Sequence, residues 1–196
     1  MKPQTSSSLA LPVAPKLFGT SRDSSIVLVI VAIALLWASA KIQIPLWPVP
    51  ITMQTYVVLV IALSYGMRLG SAAVGGYIAL GLLGVPVFAG TPEKGIGVAY
   101  LAGPTGGYII GFALATIACA WLAARGWARG FLACMSAALM GHVLILGCGV
   151  AWLAVTLGWE RAIAAGLAPF LWGTAIKTVL VAVTLPAGSK WAELRR

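Results

Sequence analysis

The stretch LAPFLWGTAIKTVLVAVTLP, residues 167–186, decides how this chain is to be read. Apart from threonines and Lys177 it carries no strongly polar side chain. An apolar run of this length makes a helix of about 30 Å, the thickness of a bilayer's hydrocarbon core. Lys177 lies roughly 15 Å from the outer end of that helix at 1.5 Å per residue. A charge at such depth costs about 2.5–3.5 kcal/mol on insertion scales and is expected to face a cavity and meet a partner.

The rest of the chain agrees with a lipid setting. Of its 196 residues, 61% are hydrophobic and 9% are charged. A soluble domain carries nearer a quarter charged residues and could not cover its surface with so few. Further apolar spans are expected at 25–41, 51–67, 69–85, 104–124 and 131–157, which with 167–186 makes an all-α bundle of six transmembrane helices. The expected organisation is a cytoplasmic tail over 1–24, a membrane domain over 25–187 and a cytoplasmic tail over 188–196. No short apolar core follows the first charges, so the first helix is read as uncleaved.

Thirteen Lys and Arg residues give a net charge of +9. With the N-terminus placed inside, nine fall in inner segments, Lys41, Lys94 and Arg161 fall outside, and Lys177 remains within a span. This asymmetry follows the positive-inside rule and puts both termini in the cytoplasm of a multi-pass protein of the cell (inner) membrane. No basic stripe with interleaved aromatics exists, so nucleic acid is not an expected partner. The lipid bilayer is.

Two outer loops then carry most of the information. In the first, Pro45, Pro48 and Pro50 forbid a helix and stiffen the backbone around Trp47. Gln43 and Gln54 offer amides beside it, with Thr52 next in line, which suits a lid over a small polar ring. An interfacial anchor is the other reading of Trp47. The second loop, 86–103, contains Glu93 and Lys94. It leads into Gly103-Pro104-Thr105-Gly106-Gly107-Tyr108, where glycines permit close backbone approach at a helix start.

Other chemistry is poorly supported. All four acids (Asp23, Glu93, Glu160 and Glu193) lie in tails or loops. Lys177 therefore lacks a carboxylate at its own depth. Its partners are a ligand anion or local carbonyls and hydroxyls, unless the side chain snorkels. No GxxxxGK[ST] loop is present. His142 is the single histidine, and the three cysteines show no ligand spacing, so neither a metal nor any other cofactor is expected. No acid accompanies His142 in the spans and no GxSxG elbow occurs, so no catalytic residue is assigned. The pairs Gly107/Gly111 and Ala34/Ala38 have small-xxx-small spacing, which ordinary helix packing explains.

Three motifs in order resemble the BioY family, the biotin-specific S components of energy-coupling factor transporters. They are Ile44-Pro45 with Val49-Pro50-Ile51-Thr52-Met53-Gln54-Thr55, Gly84-Val85-Pro86-Val87-Phe88-Ala89-Gly90, and Gly103 to Tyr108 with Gly111-Phe112. The resemblance covers residues 25–187. It implies the six-helix S-component fold and a biotin pocket near the outer face, capped by the first loop. It implies docking through Ala34 and Ala38 on an energy-coupling transmembrane subunit, with ATP hydrolysis in separate ATPase subunits. Some members of the family are thought to transport without them. The family's last helix places a lysine near the ligand, where this chain has Lys177. Thr174 stands where the family often has an acid, and Lys94 where it often has an arginine. Lys177 and Lys94 are thus expected at the biotin carboxylate, Gln54, Thr52 and Tyr108 at polar ligand atoms, and Trp47 over the sulfur ring. Other readings are an S component for thiamine or riboflavin, a membrane-embedded hydrolase or transferase, and a purely structural bundle.

Overall fold

The computed structural model describes residues 21–194, and side chains as far as 187. The tail expected over 1–24 lies outside the described residues up to position 20. Seven helices and one small hairpin make up the described chain. They are α1 (Arg22–Lys41), β1 (Gln43–Ile44), β2 (Ile51–Thr52), α2 (Gln54–Leu82), α3 (Gly97–Ala102), α4 (Gly106–Ala124), α5 (Phe131–Leu157), α6 (Trp159–Gly166) and α7 (Phe170–Leu194).

Five segments are long and apolar enough to cross a membrane: α1, α2, α4, α5 and residues Phe170–Ala187 of α7. The two separate spans expected at 51–67 and 69–85 are joined in α2, which begins at Gln54 after β2, ends at Leu82 and is not a straight rod. Gly66 adopts φ 76° and ψ −178°, a conformation essentially reserved for glycine, and the helix breaks there. The two arms then lie side by side. A Cβ on Gly70 would sit 3.7 Å from the Ala62 Cα, and Gln54 reaches Tyr77 across the fold-back. In a continuous helix residues 62 and 70 would be about 12 Å apart. The break is thus a turn between two packed arms.

Helix ends follow local chemistry. α1 starts at Arg22, three residues before the span read from hydropathy. The Ser21 hydroxyl caps it by accepting from Ser24 N at 3.2 Å, and Asp23 complements the dipole in the first turn. The segment after α5, expected as a loop because it carries Glu160 and Arg161, forms α6. Its charged residues occupy the outer face while Ala162 and Gly166 are buried. α7 continues through Pro186 to Leu194, over the stretch expected as the start of a C-terminal tail. A proline removes one backbone hydrogen bond without abolishing the turns on either side.

α4 packs against α2 and α5, α7 against α5 and α2, and α1 against α2. Close approach of α4 and α5 rests on missing side chains. A Cβ at Gly111 would lie 2.8 Å from the Ile145 Cα, and the Cβ positions of Gly107 and Gly149 are already filled by Trp152 and the Tyr108 ring. In lipid such contact is the main source of helix association, because burying apolar area gains nothing there.

Candidate functional site

The proline-rich loop is closed into a hairpin. β1 and β2 pair antiparallel, Gln43 with Thr52 and Ile44 with Ile51, and Met53 N adds a bond to Ile42 O at 3.1 Å. Its inner edge, Val49 and Pro50, is buried and roofs a chamber. The walls come from the starts of α2 and α4 and from α7, with Leu146 of α5 and Ala89 of the 86–103 loop closing the sides.

Lys177 is 6% exposed, and its Nζ donates to the Thr52 carbonyl at 3.1 Å. That bond joins α7 to the hairpin at the chamber's edge. One turn before it on α7, the Thr174 side chain also faces the chamber. Gln54 is buried and its Nε2 donates to the Tyr77 hydroxyl at 2.6 Å, which in turn donates to Val87 O at 2.9 Å. This chain of bonds ties the α2 arms to the 86–103 loop. Thr55 Oγ1 is buried at the chamber without a partner. A buried, unpaired hydroxyl is costly unless something meets it.

Aromatic packing holds the walls. The Tyr108 ring stacks on Phe170 at 5.8 Å, and its hydroxyl donates to Gly166 O at 2.7 Å. Phe88, fully buried, meets Tyr77 edge-on at 5.4 Å and stacks on Tyr100 at 4.8 Å. Tyr100 donates to Ala89 O at 2.9 Å, and burial raises its phenol above the ordinary tyrosine range. Lys41 fixes the same loop by donating to Phe88 O and Thr91 O, each at 3.1 Å. The free volume inside is about 30 Å³. That is room for little more than one water, so a larger guest must displace lining side chains.

The chamber brings together Lys177, Thr174, Gln54, Thr52 and Tyr108 from the sequence reading. It does not bring in Trp47 or Lys94. Trp47 is 82% exposed in the bend between β1 and β2, and Lys94 Nζ donates to Leu46 O at 3.4 Å. Tyr108 contributes its ring, its hydroxyl being engaged with α6. Thr55, Thr105, Phe112 and Phe170 line the chamber without having been singled out. Thr55, Thr105 and Phe112 lie inside the quoted motifs.

His142 sits deeper, buried between α5 and α7. Its Nδ1 is 3.1 Å from Ala138 O and 3.0 Å from Thr178 Oγ1. Among the described residues no group of three His, Cys, Asp or Glu side chains is placed to hold a metal ion. Ala34 and Ala38 lie exposed on one face of α1, flanked by the exposed Ile30 and Val31.

Comparison with known proteins places this arrangement. The profile of the BioY family matches residues 11–194. The probable biotin transporter BioY of Pyrococcus horikoshii is 38% identical over 144 residues, 74% of this chain and 83% of that protein. The biotin transporter BioY of Thermotoga maritima is 38% identical over 150 residues, 76% of this chain and 86% of that protein. In fold, the chain is similar to the crystal structure of the S-component for biotin from an ECF-type ABC transporter. The TM-score is 0.75 at 22% identity, covering 90% of this chain and 95% of the other. With the motif residues gathered around one roofed chamber and a family match over nearly its whole length, the chain belongs to the BioY family.

Proposed function

We propose that this chain captures biotin and brings it into the cell as the substrate-binding subunit of an energy-coupling factor transporter. The observation that carries the reading is Lys177. It is an ammonium buried at a roofed chamber, with one backbone carbonyl as its hydrogen-bond partner and, among the described residues, no carboxylate paired with it. An anionic ligand with a compact polar ring supplies what the site lacks.

In this reading Lys177 attracts the valerate carboxylate, while Thr52, Gln54, Thr55 and Thr174 present polar atoms to the ligand. Tyr108 offers its ring as a wall. Val49 and Pro50 form the lid, and lid displacement admits the ligand. Trp47 and Lys94 act at the rim, Lys94 meeting an approaching anion from the outer surface.

The proposed topology has six crossings, with the two arms of α2 counted separately and both termini in the cytoplasm of the cell membrane. The fold-back at Gly66 and the charge asymmetry support it. The first arm, residues 54–65, is about 18 Å long. It leaves space above it for the hairpin, so the chamber lies recessed below the outer surface. Ala34 and Ala38 form the docking face for the energy-coupling transmembrane subunit, and the ATPase subunits complete the assembly.

Titration of biotin onto the purified full-length chain tests the substrate. Saturable binding at submicromolar biotin, not displaced by excess thiamine or riboflavin, is expected. Lack of saturable binding, or displacement by either vitamin, overturns the assignment.

A further inference from the structure

A larger space lies outside the roofed chamber. It is a groove between α5, α6 and α7 with a free volume of about 460 Å³. Val143 and Gly147 of α5 line it, with Leu171 of α7 and, from α6, Trp159 and Ile163. His142 lines it about 16 Å along α5 from Phe131 at 1.5 Å per residue. That is close to the middle of a hydrocarbon core about 30 Å thick. Leu146 and Thr174 line both the groove and the chamber, so the two spaces share a wall.

Almost everything that faces the groove is apolar. The exceptions are His142, Thr174 and the indole of Trp159. His142 is 1% exposed, and its Nε2 is buried without a hydrogen-bond partner. Nδ1 is taken up by Ala138 O and Thr178 Oγ1, so Nε2 is the ring nitrogen left for a guest. Either tautomer leaves it unmet. With the proton on Nδ1 it needs a donor, and with the proton on Nε2 it needs an acceptor. Water is a poor remedy, because so apolar a space offers it too few partners. The end of a lipid chain has no hydrogen-bonding group, and an ion at this depth is costly. A hydroxyl both donates and accepts, so it meets Nε2 in either tautomer.

We propose that this groove is a second binding site, for a neutral apolar molecule bearing one hydroxyl group, which pairs with His142 Nε2. The occupant braces Leu146 and Thr174, part of the wall that a guest in the chamber must push aside. It thereby opposes filling of the chamber. That coupling rests on the biotin reading, whereas the site itself does not.

Photolabelling tests the site. The full chain in phosphatidylcholine nanodiscs is illuminated with an octanol carrying a diazirine in its chain, and separately with the matching octane diazirine at equal concentration in the bilayer. Adducts are mapped by mass spectrometry. The alkanol should label α5 between Leu139 and Ala151 about fivefold more than the alkane, the ratio for one net hydrogen bond. His142→Phe keeps a ring, removes both nitrogens and abolishes that preference. Gly147→Leu, at a position where a Cβ meets nothing within 4 Å, fills the groove and removes labelling by both probes. Equal labelling by alkanol and alkane in the wild type, the result for a groove that merely holds lipid chains, overturns the site. So does an undiminished preference in His142→Phe or undiminished labelling in Gly147→Leu. Biotin titration reads the coupling. Saturating octanol should weaken biotin about fivefold or more in the wild type, the low end of ordinary coupling between sites, and leave His142→Phe unaffected. No weakening in the wild type, or the same weakening in His142→Phe, overturns the coupling. Labelling is read without biotin, so failure of the wild type to bind biotin refutes the biotin reading separately.

Discussion

Lys177 Nζ donates to the carbonyl oxygen of Thr52 over 3.1 Å, across 125 residues of sequence. This bond holds the last helix to the hairpin, and a bound carboxylate would compete for the same ammonium. Lys177→Met is expected to weaken biotin roughly 10- to 100-fold, the range for losing a hydrogen bond to a charged group. Calorimetric titration measures it. An unchanged Kd would remove Lys177 from the ligand site.

The Tyr77 hydroxyl accepts from Gln54 and donates to Val87 O, all in a buried setting. Tyr77→Phe leaves two buried groups without their partner. We expect a loss of about 1–3 kcal/mol of stability. Thermal unfolding in detergent, followed by far-UV circular dichroism, reads it as a lowered midpoint.

Two glycines of similar appearance should respond in opposite ways. A Cβ at Gly111 meets the Ile145 backbone at 2.8 Å, whereas one at Gly147 has nothing within 4 Å. Gly111→Ala should destabilise by about 1–3 kcal/mol through overpacking. Gly147→Ala should be neutral or stabilise by up to about 1 kcal/mol through helix propensity. Comparing the two melting curves separates a packing contact from a merely small residue.

Ala34 and Ala38 are exposed on one face of α1, away from the chamber. Ala38→Trp should leave biotin affinity at its wild-type value while abolishing co-purification with the energy-coupling subunit. Retained co-purification in both Ala34→Trp and Ala38→Trp would place the docking face elsewhere.

What could be read from residues alone was mostly what lipid or rarity makes conspicuous. Lys177 stands out because a cation in an apolar run needs a reason, and three prolines around Trp47 announce a rigid loop. The second outer loop drew notice through Lys94, yet its anchor is Phe88, an ordinary-looking apolar residue that the fold places between Tyr77 and Tyr100. Leu146 and Phe170 were likewise illegible, since a chamber wall and a lipid-facing helix use the same side chains. Trp47 is expected at the ligand as a rigid plate in a proline-stiffened loop, and Lys94 because it stands where the family often has an arginine. Trp47 stands exposed in the bend between the two strands, and Lys94 ends at Leu46. α6 was hidden because eight residues bearing Glu160 and Arg161 read as a polar connection.

Gly66 has a consequence that reaches beyond its own turn. A chain threaded through a bilayer changes side at every crossing, so one reversal sets the parity of all that follows. The 29 residues of α2 would pass as a single long insertion unit were they straight. Gly66→Leu, unable to hold φ 76°, would favour that outcome. The proline hairpin and the Phe88 loop would then emerge on opposite faces of the membrane, and no chamber could form between them. Reactivity of a cysteine introduced at Lys94 toward a membrane-impermeant maleimide reports this directly. The cysteine should label from outside in the parent and from inside once Gly66 is replaced.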